Sequence, residues 1–118
     1  MDQSKSLEGS WTLHTASHVG IVVPDLEKAL GQFGAILEYD WVATHDKPVP
    51  VLHGNGEVLD VRIQTRWSTL GLPHVELIQG VPGTVWEPRE GPYLHHIGYW
   101  VDDLVAASGR LSRLGMPL

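Results

Sequence analysis

A chain of 118 residues, 42 % apolar and 19 % charged, is long enough for one globular domain with its own core. Its net charge of −6, with eight Lys and Arg and no basic run, argues against a surface made for nucleic acid or an anionic membrane. The lack of cysteine excludes disulfides, thiolate zinc sites and a cysteine nucleophile.

Residues 1–13 read as a flexible lead-in. The polar start, Met1 to Ser10, lacks the apolar centre of a signal peptide, and no apolar run reaches the ~18–20 residues that span a bilayer, so a cytoplasmic location is expected. Thr15 to Val23 is rich in β-branched residues and is predicted as a strand stopped by Pro24. Asp25 fits a helix N-cap, and Leu26, Leu30, Phe33 and Leu37 recur at helical spacing. An amphipathic helix is therefore predicted over 26–37, weakened at Gly31 and Gly34 by about 1 kcal/mol each relative to Ala.

Tyr39 to His45 reads as a second strand. Pro48 and Pro50 then break the chain, and Gly54-Asn55-Gly56 marks a turn. Val58 to Trp67 alternates as a third strand with one wet face, and Pro73 to Gln79 is a short fourth. Residues 80–92, rich in Gly and Pro, read as a linker. Tyr93 to Val101 is another strand, Asp103 another N-cap, and Leu104, Ala107, Leu111 and Leu114 another helix stripe closed by Gly115. The order is βαβββ over 14–79, a linker, and βα over 93–118, all in one domain.

A nine-residue pattern occurs twice, 78 residues apart: His18-Val19-Gly20-Ile21-Val22-Val23-Pro24-Asp25-Leu26 and His96-Ile97-Gly98-Tyr99-Trp100-Val101-Asp102-Asp103-Leu104. A repeat at this spacing implies two similar units. Side chains alternate along a strand, so His18, Gly20 and Val22 share one face, while Val19, Ile21 and Val23 form an apolar face suited to the helix. Each glycine leaves open space near an imidazole. In the fourth strand Glu76 lies between Val75 and Leu77 and points away from them, with His74 and Ile78. A carboxylate in apolar surroundings costs several kcal/mol to bury unless it is paired or bound to a cation.

Two strand histidines and a strand carboxylate on cleft-facing positions suit a divalent metal with nitrogen and oxygen donors. The plainer readings are a hydrogen-bonded core histidine for either His-x-Gly and a solvated edge carboxylate for Glu76. His74 is a reserve ligand. His95 is expected to face away from His96 and to be structural. His14 lies four residues before His18, but on a strand-like stretch rather than a helix, and His45 and His53 sit in loop-like context. Most of the five tryptophans (11, 41, 67, 86 and 100) read as core or dimer-interface residues, with Trp100 placed in a substrate pocket together with Val22 and Ile78.

The stretches "SHVGIVVPDLEKAL", "PHVELIQG" and "LHHIGYWVDDL" together resemble the vicinal oxygen chelate superfamily, which includes glyoxalase I, methylmalonyl-CoA epimerases, extradiol dioxygenases and bleomycin-resistance proteins. The resemblance implies an α+β fold of paired βαβββ modules around a metal, here with the second module stopping after its βα. It assigns His18, Glu76 and His96 as metal ligands, with a fourth, usually glutamate, expected beyond Leu118. Within the superfamily the first motif looks closest to the epimerases. The resemblance thus implies a metal-dependent isomerase or lyase that moves a proton beside a chelated carbonyl or enolate; the fourth carboxylate, expected beyond Leu118, often takes part in that transfer, and Glu76 is the catalytic candidate among the residues present. Zn, Ni, Co, Mn or Fe would suit the site, the substrate would be a carbonyl or thioester compound, and a homodimer is expected. Two alternatives remain: an extradiol-type ring-cleaving dioxygenase with an aromatic substrate, or a non-catalytic resistance protein that binds a small molecule.

Overall fold

A computed structural model describes residues 13–69 and 73–117. Most of the expected lead-in, including Trp11, lies outside the described residues, as do the side chains of His14 and His45. The elements are strand β1 (Leu13–Val23), helix α1 (Leu26–Leu37), strands β2 (Trp41–Leu52), β3 (Val58–Ser68), β4 (His74–Gln79) and β5 (Tyr93–Val101), and helix α2 (Leu104–Arg113). The five strands form one mixed sheet in the order β2-β3-β4-β1-β5. The first βαβββ unit thus lies beside the βα of the second in an α+β arrangement.

β1 is the hinge of this order. It runs parallel to β4, with Gly20 beside Glu76, and antiparallel to β5, with Gly20 beside His96. The parallel pairing requires a long crossover, which α1, β2 and β3 supply. Asp25 caps α1 by accepting from the Lys28 N–H at 3.1 Å, and Asp103 caps α2 by accepting from the Ala106 N–H at 3.0 Å. The repeated Asp of the nine-residue pattern is therefore a repeated cap. Gly115 follows α2 at φ 89°, and the Met116 N–H reaches the Leu111 carbonyl at 2.8 Å, an ending that only a left-handed residue permits.

α1 packs on the apolar face of β1 and β4. The buried cluster is Val23, Leu26, Ala29 and Leu77, flanked by Ile21, Leu30, Phe33, Trp41 and Val75. Leu37, expected in the stripe, is 41 % exposed at the helix end. On α2 only Ala107 is buried, while Leu104 and Leu114 are exposed.

Two expectations are corrected. β2 does not end before Pro48 but runs through Pro48 and Pro50, which pair with Arg62 and Asp60 of β3. β2 is the edge of the sheet, so a missing N–H on its outer side interrupts no ladder. β3 does not keep a regular wet and dry alternation either. Its first three residues are exposed on both faces, because the β2–β3 hairpin projects beyond the shorter β4. The turn itself lies where Gly54-Asn55-Gly56 placed it, with Gly56 at φ 88° and the His53 N–H bonded to the Glu57 carbonyl at 2.8 Å.

Candidate metal centre

Two rows of paired residues cross the sheet. One runs Trp67, Glu76, Gly20, His96 through β3, β4, β1 and β5. The other runs His74, His18, Gly98 through β4, β1 and β5. Directly paired residues point to the same face, so both rows present their side chains to the face opposite α1.

The antiparallel pairing of β1 with β5 places each histidine of the repeat across from the other strand's glycine. A Cβ on Gly20 would stand 2.2 Å from the His96 ring, and a Cβ on Gly98 would stand 2.2 Å from the His18 ring. The glycines are thus read correctly as space for an imidazole, but the imidazole is the one on the neighbouring strand. The His-x-Gly pattern has to occur twice because each copy completes the other.

Laid over the glycines, the rings bring their Nε2 atoms to 2.9 Å. Glu76 Oε1 lies 3.3 Å from Nε2 of His96 and 3.7 Å from Nε2 of His18. Among the described residues, His18, Glu76 and His96 form the one cluster of ligand-type groups, their ligating atoms all within 4.8 Å of one another. Metal–donor bonds of about 2.1 Å in a tetrahedron separate the donors by about 3.4 Å, so these spacings fit one divalent ion with little movement.

The atoms that face away from the cluster are all engaged. Trp67 Nε1–H donates to Glu76 Oε2 at 3.1 Å, and its ring lies against His18 with centroids 4.6 Å apart. Ser17 Oγ is 3.0 Å from His18 Nδ1, and His95 Nδ1 is 2.8 Å from His96 Nδ1. Such outer partners orient metal-binding side chains. Burial lowers both imidazole pKa values from their ordinary 6.5. For His18, Glu76 pulls upward while His96 and His74 push further down; for His96, His95 adds to burial. Both rings are therefore neutral near pH 7, the form that offers a lone pair.

A cavity of about 420 Å³ opens beside the cluster, lined by His18, Trp67, His74, Gly98 and Trp100 among others. Trp100, expected near the substrate, is 67 % exposed on its rim. Val22 and Ile78 do lie on the His18 and Glu76 face, but they are 0 % and 2 % exposed and offer no open surface to a ligand. His74, the reserve ligand, stands outside the cluster and places Nδ1 2.8 Å from the Ser68 carbonyl.

The expected orientation of His95 is corrected. β5 carries an extra residue there: Gly20 pairs with His96 but Ile21 pairs with Leu94. This bulge turns the His95 ring edge-on to His96, with centroids 5.1 Å apart, instead of to the opposite face. Trp67 was expected only as core or interface. The β3–β4 register that sets it beside Glu76 is a long-range fact, and its sole local signal was its parity on an alternating strand.

Residues 17–118 match the family model described as the glyoxalase/bleomycin resistance protein/dioxygenase superfamily. The chain belongs to this superfamily. A curated relative, the ethylmalonyl-CoA/methylmalonyl-CoA epimerase of Cereibacter sphaeroides, is 32 % identical over 104 residues, covering 84 % of this chain and 69 % of the relative. The crystal structure of methylmalonyl-CoA epimerase from Mycobacterium tuberculosis superposes with a TM-score of 0.57 at 18 % identity, over 96 % of this chain and 72 % of that one. That likeness supports the fold of this superfamily member: a mixed sheet carrying two helices. No helix among the described residues is long and apolar enough to cross a membrane.

Proposed function

We propose that this protein is a metal-dependent epimerase-like enzyme that moves a proton at the carbon next to a thioester carbonyl. The observation that carries the reading is the convergence of two imidazoles and one carboxylate, from three strands, within 4.8 Å. The relative named as an ethylmalonyl-CoA/methylmalonyl-CoA epimerase supports an acyl-CoA substrate.

A divalent ion in this site would supply Lewis-acid stabilisation of negative charge on the substrate's carbonyl oxygen. His18, His96 and Glu76 would hold it. The nitrogen and oxygen donor set suits Zn, Ni, Co, Mn or Fe. Trp67 keeps the Glu76 carboxylate turned toward the imidazoles, and the faces of Trp67 and Trp100 give the acyl group an apolar wall. Glu76 is the carboxylate assigned to removing the proton from the adjacent carbon, a role general acid–base chemistry gives to a positioned carboxyl group, and inversion requires the proton to return to the opposite face from solvent or a second acid.

The test is exchange of the α-hydrogen of methylmalonyl-CoA in D2O, followed by proton NMR with the metal-loaded protein. The α-signal is expected to disappear with wild type and to do so about 100-fold more slowly, or slower still, with Glu76→Gln. Exchange that is absent in wild type, or indifferent to Glu76→Gln, contradicts the proposal.

The same donor trio also matches the two-histidine, one-carboxylate set of iron-dependent oxygenases, which is the observation behind a second reading as a ring-cleaving dioxygenase. Oxygen uptake with a catechol, in the iron-loaded protein, separates the two. The presence of His18, Glu76 and His96 together argues against a binding module without chemistry.

A further inference from the structure

The bulge in β5 builds a hydrogen-bond chain that ends in the main chain. His95 Nδ1 is 2.8 Å from His96 Nδ1, and His95 Nε2 is 2.8 Å from the Val85 carbonyl oxygen. Val85 belongs to the segment between β4 and β5, which bonds within the segment and one to β1 hold in place. Val81 N–H reaches the Trp86 carbonyl at 2.8 Å, Thr84 Oγ1 donates to the Val81 carbonyl at 2.8 Å, and Gly80 N–H bonds the Val23 carbonyl at 2.8 Å. The Trp86 ring stacks near His95, with centroids 6.5 Å apart.

A carbonyl oxygen only accepts, so the far end of this chain has a fixed polarity. His95 must carry its proton on Nε2 to satisfy Val85. In the neutral ring Nδ1 then accepts, and the donor facing it is Nδ1–H of His96. A neutral His96 with its proton on Nδ1 presents the lone pair of Nε2 toward His18 and Glu76.

We infer that His95 is a positioning residue: it fixes His96 as the Nδ1–H tautomer and so aims the His96 Nε2 lone pair into the cluster. The consequence for metal affinity rests on the metal reading above, whereas the tautomer itself does not. His18 has no such anchor. In the metal-free chain its Nε2–H faces the His96 lone pair at 2.9 Å, and its Nδ1 then accepts from the Ser17 hydroxyl; because that hydroxyl rotates and serves as donor or acceptor, His18 can pass to the Nδ1–H form when a cation takes its Nε2. The two equivalent histidines are thus unequal, one preset and one adjustable, and the bulge at His95 is what separates them.

The experiment uses long-range proton–nitrogen NMR of the imidazoles in the metal-free full chain, near pH 8 where both rings are neutral, together with a Co(II) titration followed by absorbance. Four proteins are compared: wild type, His95→Ala, His95→Asn and His95→Phe. Asn keeps an acceptor near the position of Nδ1 but no ring, and Phe keeps the ring beside Trp86 but no acceptor.

Wild type and His95→Asn are expected to show His96 protonated on Nδ1. His95→Ala and His95→Phe are expected to show a proton shared with Nε2 and a Co(II) affinity about 10–100-fold lower, the usual effect of removing an outer partner of a ligand. An unchanged His96 tautomer in both His95→Ala and His95→Phe overturns the inference. Recovery by Phe but not by Asn overturns it as well, because ring packing is then the role. A wild type that takes up no cobalt while its His96 shows the stated tautomer defeats the metal reading and leaves the positioning of His96 supported.

Discussion

At the scale of single residues, the site depends on two missing side chains as much as on three present ones. His18 and His96 meet only because Gly20 and Gly98 leave room for the opposite ring. Gly20→Ala should therefore push aside an imidazole rather than the backbone. The expected result is a folded protein, by circular dichroism, whose affinity for a divalent ion falls about tenfold or more, as for other losses of ligand placement. Retained affinity would show that the ring position is not essential. Burial lowers both histidine pKa values below 6.5, so the fold prefers the neutral rings. A depressed value makes stability fully present above the unfolded value and lost as pH drops toward the folded one. The metal-free protein should melt at a lower temperature at about pH 5.5 than at about pH 8, and the difference should shrink in a His18→Gln, His96→Gln double variant. An equal pH dependence in that variant would assign the effect to other groups.

At the scale of elements, β1 joins the core to the site. Its apolar face takes α1 and its other face carries His18. Leu77, on the neighbouring β4, is fully buried in the same core, one residue from Glu76. Leu77→Ala should lower stability by about 2–5 kcal/mol in urea unfolding, the cost of a deleted core side chain. A loss under 1 kcal/mol would mean that the α1 layer is not the main core. Asp25→Ala should cost about 1 kcal/mol through loss of the α1 cap. Most elements were legible in the sequence, because helical spacing, the N-cap Asp and the Gly-Asn-Gly turn are local signals. The extension of β2 through Pro48 and Pro50 was not, since a proline is tolerated only where a strand lies at an edge, and edge position is set by the whole sheet.

At the scale of the whole molecule, the duplicated motif is one arrangement used twice. Antiparallel pairing of β1 and β5 sets each copy's histidine against the other copy's glycine, and parallel pairing of β1 and β4 brings Glu76 into the same row. The trio could be named from the sequence because the repeat marks both histidines and the apolar neighbours mark Glu76. What supports the trio could not. Trp67 reaches Glu76 through the β3–β4 register, and His95 reaches His96 through one inserted residue that reverses the expected alternation. Pairing register and bulges depend on partners far along the chain, so a strand's own pattern does not report them.

The central claim is that these three side chains bind one cation together. X-ray absorption at the zinc edge of the stoichiometrically loaded protein tests it most directly. Two imidazole nitrogens and at least one carboxylate oxygen are expected at about 2.0–2.2 Å, falling to one imidazole in His96→Ala. A wild-type spectrum without imidazole scattering, or one that His96→Ala leaves unchanged, would contradict it.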